Sequence, residues 1–163
     1  MIDLSIIIVS WNVADYLRTC LDSILSGRIS LIPPDREQSE TSTLLNIEVI
    51  VIDSYSNDHT LHILEKYPQI KTVRLARNIG FSKASNIGLA IARGRYLMLL
   101  NPDTELIGNV LPIMVEYLET HSAVGIVGPY ILNTNGETQP TRHHFHNFAT
   151  SLFSLEIDGR VHP

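Results

Sequence analysis

Two kinds of apolar run alternate along the chain. Leu4 to Ser10 (LSIIIVS) is short, continuous and rich in β-branched side chains, the pattern of a strand covered on both faces. Ala14 to Ser26 follows with helical spacing, its inner stripe made of Leu17, Cys20, Leu21, Ile24 and Leu25. Further runs predict strands over Ile47 to Asp53, Ile70 to Leu75, Arg95 to Leu100 and, shorter, Ala123 to Val127. Between them lie a short helix capped by Asp58 and ending near Tyr67, before Pro68, and longer helices over Ser82 to Arg93 and Val110 to Thr120. In the first of these longer helices Ala84, Ile87, Gly88 and Ile91 form a stripe small enough to pack closely on a sheet, and Gly94 reads as its C-terminal cap.

The segment GRISLIPPDREQSETST reads as a mobile loop over about 27–45, and Asn135-Gly136 as a hairpin turn. Strands alternating with helices imply an α/β fold: a mostly parallel sheet flanked by helices, joined by right-handed crossovers. In such a sheet ligands bind beyond the carboxyl ends of the strands, where the strand order reverses. Four strand ends then deserve inspection: Ser10-Trp11-Asn12, Asp53-Ser54, Arg77-Asn78 and Asn101-Pro102-Asp103. All are polar or aromatic, and all should share one edge.

Composition narrows the partner. A formal charge of -5 argues against nucleic acid, which calls for a basic face. The single cysteine, Cys20, excludes an internal disulfide and a cysteine-based metal cluster. The N-terminus enters a strand at once, unlike a secretory signal, and no run approaches the roughly 18 apolar residues of a membrane span. These features predict a cytoplasmic protein, with peripheral contact at the inner face of the membrane left open.

The turn after the first strand, SWNVAD, has no glycine, so the dinucleotide fingerprint is missing; GxxxxGK[ST] and GxSxG are missing too. What the edge offers is two aspartates, an aromatic ring and amides. Asp53 suits either a base or ribose contact or a turn before a helix. Trp11 suits either base stacking or packing. Asp103 offers hard oxygen to Mg2+ or Mn2+, while Asn101-Pro102-Asp103 taken alone also fits an Asx-Pro turn. Together they suit a nucleoside diphosphate neutralised by a divalent cation.

At this point LSIIIVSWN, IEVIVIDSYSNDHT, RNIGFSKASNIGLAIARGRYLMLLNPDTEL and VGIVGPYILNTNGETQP resemble, in order and spacing, glycosyltransferase family 2. The match is nearest to its rhamnosyltransferase-like branch, with Asn-Pro-Asp in place of Asp-x-Asp, and it covers nearly all of Leu4 to Pro140. The resemblance implies a nucleotide-diphosphosugar transferase fold of the GT-A type, truncated at the C-terminus. It implies a nucleotide-sugar-binding domain over 1–140 and the incomplete start of an acceptor-side region over 141–163.

By the same resemblance Val9, Ser10 and Trp11 border the base, and Asp53 and Ser54 match the motif that holds base and ribose. Phe81 and Lys83 approach the nucleotide, Asn101 and Pro102 line ribose and sugar, and Asp103 is the metal ligand. The implied partners are a nucleotide-diphosphosugar donor and a glycan or lipid-linked acceptor, with a homo-oligomer through an exposed sheet edge as a further option. The implied reaction is metal-dependent transfer to a hydroxyl with inversion, in polysaccharide or glycan synthesis.

Two departures stand out. Ser54 replaces the acid or amide that reads the base edge in many members, and Asn101 leaves the cation one strong protein ligand. The general base of the family lies on the acceptor side and is expected beyond Pro163; Glu156 and Asp158 are the late carboxylates. His143, His144 and His146 lack the partner pair of a zinc site. The missing base keeps an alternative in view, a non-catalytic module that binds a nucleotide or a partner.

Overall fold

The structure, a computed structural model, describes residues 1–27, 29–31 and 44–139. Its strands are β1 (Leu4–Ser10), β2 (Ile29–Leu31), β3 (Leu45–Asp53), β4 (Lys71–Arg74) and β5 (Tyr96–Leu100). Its helices are α1 (Ala14–Leu25), α2 (Thr60–Leu64), α3 (Phe81–Ile91) and α4 (Val110–Thr120). All five strands run parallel: β1 lies between β3 and β5, while β2 and β4 pair with the first and last parts of β3.

Alternation along the central strands sorts their side chains to two faces. Leu4, Ile6 and Ile8 of β1 join Ile47, Val49 and Val51 of β3 in a core with Leu17, Cys20, Leu21 and Ile24 of α1, Leu64 and Leu111. On the opposite face Ile50 and Ile52 pack with Ala84, Val9, Val73, Ile87 and Ile91. Both faces are covered, so these strands read as unbroken apolar runs rather than alternating ones. Gly88 is required by contact: a Cβ there would run into Ile7 Cγ2.

Differences from the predicted elements have local causes. Gly94 does not cap α3; Ala92 closes that helix in an extended conformation (ψ 144°). Gly94 is there because a side chain would collide with the Ser5 backbone, and its N–H donates to Ser5 Oγ at 2.7 Å. The segment expected to be loop from residue 27 contributes β2, which gains ladder bonds from the start of β3. Ala123 to Val127 forms no strand: among the described residues no neighbour pairs with it, and Ile126 is left exposed. Asp58 does not cap α2, whose N-cap is His59; from one residue further out its Oδ1 accepts the Thr60 N–H at 2.9 Å. The remainder of the expected mobile loop, the histidine cluster, Glu156 and Asp158 lie outside the described residues.

Met1–Val127 form one compact unit, and a second begins at Gly128. In the second, Leu132 bridges Thr138 in antiparallel fashion around the predicted Asn135-Gly136 turn, with Gly136 at φ 83°. No helix among the described residues is long and apolar enough to cross a membrane.

Candidate active site at the carboxyl edge of the sheet

Parallel pairing brings the strand ends to one edge. Ser10, Asp53 and Arg74 stand abreast in register, and β5 ends at Leu100, opposite Ile8. The chain steps from β1 outward to β3 and β4, then returns to lay β5 on the other side of β1. The order therefore reverses between β1 and β5, between the turn at Trp11 and the turn at Asn101. A cleft of about 460 Å3 opens there, lined by Val13, Tyr16, Asn101, Pro102 and Asp103.

Each turn along this edge is tied to its neighbour. Ser54 N–H donates to Ser10 C=O at 2.8 Å. Asn12, in the left-handed region at φ 54°, donates its N–H to Ser56 Oγ (2.9 Å) and accepts from Asn57 N–H at Oδ1 (2.9 Å). Asparagine tolerates that conformation better than most residues. Asp58 spans two helix starts: besides Thr60 it accepts the Ala14 N–H at Oδ2, 3.2 Å away. Burial alone would raise the Asp58 pKa, but hydrogen bonds from Thr60 and Ala14 outweigh it and hold the carboxyl below its usual range. On the other side Ser54 Oγ donates to Asn78 Oδ1 (3.3 Å), which also receives Gly80 N–H (2.9 Å) just before α3.

The turn bearing Asp103 is braced by α1. Asn101 C=O accepts Thr104 N–H at 3.2 Å, closing a four-residue turn with Pro102 in its favoured second position. The same carbonyl receives the Cys20 thiol at 3.8 Å, while Ser23 Oγ accepts Leu106 N–H at 3.0 Å. Burial, then the Asp103 and Glu105 carboxylates, push the Cys20 thiol up to about 12, so it stays a protonated donor.

The residues singled out in the sequence occupy this edge at different depths. Trp11 and Phe81 are about half exposed, at 54% and 51%, and Lys83, Asn101 and Asp103 are exposed. Pro102 is partly buried, as is Val9, which packs under the edge on the α3 side. Ser10, Asp53 and Ser54 are buried. Asp53 Oδ2 accepts Ser56 N–H at 3.2 Å and so shapes the turn after β3; Asp53 Oδ1 and Ser10 Oγ have no partner among the described residues.

Sequence reasoning missed Asn12 as a brace, Tyr16 in the cleft, and Tyr55, 53% exposed at the end of β3. Asn12 stands among the predicted strand-end residues but its bracing role, like the place of Tyr55 next to Ser54, rests on a left-handed backbone that leaves no periodic signal. Tyr16 sits in the first turn of α1, where it reads as an ordinary solvent-facing position.

Among the described residues no group of three or more His, Cys, Asp or Glu could hold a metal ion. Asp103 is nonetheless a hard oxygen donor at the cleft, and Mg2+ or Mn2+ commonly takes one or two protein carboxylates with phosphate and water completing its shell. The residues fit a cation bound jointly with a diphosphate. They do not fit a cation held by protein alone.

Known proteins share this sequence and arrangement. The chain is 32% identical over 121 residues to the uncharacterised glycosyltransferase YibD of Escherichia coli (strain K12), covering 72% of this chain and 29% of YibD. It is 27% identical over 165 residues to the minor teichoic acid biosynthesis protein GgaB of Bacillus subtilis (strain 168), covering 98% of this chain and 17% of GgaB. It therefore spans less than a third of the length of these relatives. The crystal structure of Staphylococcus aureus TarS 1-349 in complex with UDP-GlcNAc superposes with a TM-score of 0.59 and 26% identity, over 74% of this chain and 32% of that one. The parallel sheet with its flanking helices is the GT-A nucleotide-sugar transferase fold. The profile of Glycosyl transferase family 2 matches residues 5–161, and the chain belongs to that family.

Proposed function

We propose that this chain is the donor-binding part of an inverting, cation-dependent glycosyltransferase of the rhamnosyltransferase-like branch. It takes a nucleoside-diphosphate sugar and serves the synthesis of a polysaccharide or lipid-linked glycan. The observation that carries this is the cleft at the strand-order reversal, where the exposed Asp103 faces solvent beside Asn101, Pro102 and Tyr16. Family membership supports the reaction class, and the UDP-GlcNAc complex of TarS supports the donor class. The name of GgaB, a minor teichoic acid biosynthesis protein, supports a role in polymer synthesis.

In this reading the base and ribose lie over the β1 and β3 ends, at Val9, Ser10, Trp11, Asp53 and Ser54. Asp53 acts from below, holding the Ser56 amide so that the turn keeps its shape. Phe81 and Lys83, at the start of α3, flank the nucleotide, and the lysine supplies positive charge toward the phosphates. Asn101 and Pro102 line the ribose and sugar. Asp103 would hold Mg2+ or Mn2+, which when bound neutralises charge on the departing diphosphate. The attacking hydroxyl needs a base, and the cleft-lining residues offer none besides Asp103.

That gap favours a second reading, a module that binds the nucleotide without transferring sugar. Sugar transfer by the isolated chain above the rate of donor hydrolysis excludes this second reading. Calorimetry of UDP binding, with and without Mn2+, tests the first. The wild-type chain should bind more tightly with the cation, and Asp103→Ala should remove that gain while leaving cation-free binding in place. Equal affinity with and without Mn2+ would overturn the metal assignment.

A further inference from the structure

Tyr55 is an outlier that neither the turn nor the core explains. Its backbone sits at φ 69°, a region that L side chains rarely adopt and that aromatic residues, with no local hydrogen bond to offer, adopt least. Glycine would hold the same turn without strain. The ring gives little back to folding: it is 53% exposed, belongs to neither apolar cluster, and its hydroxyl bonds to none of the described residues. Strain kept in this way, at the edge where ligands bind, points toward a ligand.

The surroundings fix where the ring stands. Its neighbours Ser54 and Ser56 are buried, at 2% and 4% exposure, and each is anchored, Ser54 N–H on Ser10 C=O and Ser56 N–H on Asp53 Oδ2. The left-handed residue interrupts the strand's alternation between those two anchors. The turn carrying Tyr55 is stitched to the turn carrying Trp11 by Asn12 N–H on Ser56 Oγ and Asn57 N–H on Asn12 Oδ1, both 2.9 Å. Two half-exposed rings therefore rise from two turns that cannot shift independently. They do not stack on each other; the stacked pair among the described rings is Tyr117 with His121. An exposed aromatic pair held in a fixed frame suits a flat π-system, and bases stack on such rings with little regard to sequence identity.

We propose that Tyr55 is a nucleobase-contacting residue of this chain, framing with Trp11 the base of a nucleoside diphosphate. The inference rests on the donor-binding reading above and adds a residue to it. The test is Tyr55→Asn, since asparagine tolerates the left-handed backbone. With UDP, GDP and dTDP as probes in the presence of Mn2+, affinity should fall about tenfold for whichever the wild type binds. Affinity for inorganic pyrophosphate, which has no base, should not change. The melting temperature should rise by about 2 °C as strain is relieved. Tyr55→Phe, which keeps the ring, should match the wild type in both.

A Tyr55→Asn chain that binds nucleotides as the wild type does overturns the inference. So does one whose melting temperature and pyrophosphate affinity fall together, which would mark a packing residue. If Trp11→Ala weakens UDP binding while Tyr55→Asn does not, the donor-binding reading stands and this inference alone fails. A wild-type chain that binds none of the three nucleotides removes both.

Discussion

Glu48 offers a sharp test of how the sheet is held together at the end away from the site. It is the fourth residue of β3, opposite Ser5, with its side chain 4% exposed. Oε1 accepts Ser5 Oγ and Arg93 N–H, each at 2.6 Å, and Oε2 accepts the Arg93 guanidinium at 3.3 and 3.2 Å. The carboxylate thereby joins β1, β3 and the turn from α3 to β5. Hydrogen bonds to a charged group contribute about 1.5–3 kcal/mol each, so the two short ones together supply about 3–6 kcal/mol. The guanidinium is 46% exposed, and solvent screening leaves that part of the pair about 0–1 kcal/mol.

Glu48→Ala should therefore cost about 4 kcal/mol, Glu48→Gln about 2 kcal/mol because one acceptor oxygen survives, and Arg93→Ala about 1 kcal/mol. Urea unfolding followed by circular dichroism at pH 7 measures all three. Burial pushes the Glu48 pKa up, but the Ser5 and Arg93 hydrogen bonds outweigh it and leave it below the ordinary value of 4.5. A carboxyl depressed in the folded state stabilises above its unfolded pKa and loses that contribution as pH falls through the folded one. The gap between wild type and Glu48→Gln should then be full above about pH 4.5 and narrow below it. Arg93→Ala costing as much as Glu48→Ala would refute the reasoning, because it would place the energy in the ion pair rather than in the two short bonds.

Three further outcomes follow from close contacts in the fold. Gly88→Ala drives its Cβ into a side chain, Ile7, and should cost about 1–3 kcal/mol. Gly94→Ala meets backbone atoms of Ser5 and Leu4 that cannot rotate away, so its midpoint in urea should fall further than that of Gly88→Ala; the reverse order would sink this account. Ser23→Ala removes the acceptor of the Leu106 amide, and hydrogen exchange at that amide should quicken about tenfold. Unchanged exchange would mean that α1 does not brace the turn carrying Asp103.

The covered strands and the stripe of α3 were legible because burial on both faces leaves an unbroken apolar run, and because Ala84 and Gly88 are small where α3 meets the sheet. That the polar strand ends share an edge was legible too, since strand–helix alternation implies parallel strands. Gly94 misled the reading: a glycine after a helix suggests a cap, but this one answers to Ser5, nearly ninety residues away in sequence (~89, as the Gly94–Ser5 hydrogen bond spans). Ala123 to Val127 misled it likewise, because strand propensity becomes a strand only where a neighbour offers its ladder.

By itself, then, the sequence determined the covered central strands, the main helices and the polar residues that end those strands, because these depend on periodicity and local chemistry. β2 and the 123–127 run, unpaired among the described residues, depended on which neighbour offers a ladder. Tertiary structure alone decided the depth of each side chain at the edge. It buried Asp53 beneath its turn, left Tyr55 and Trp11 in solvent, and set Tyr16 beside Asp103 in the cleft. Those outcomes depend on strand order and on hydrogen bonds between distant turns, which no local pattern encodes.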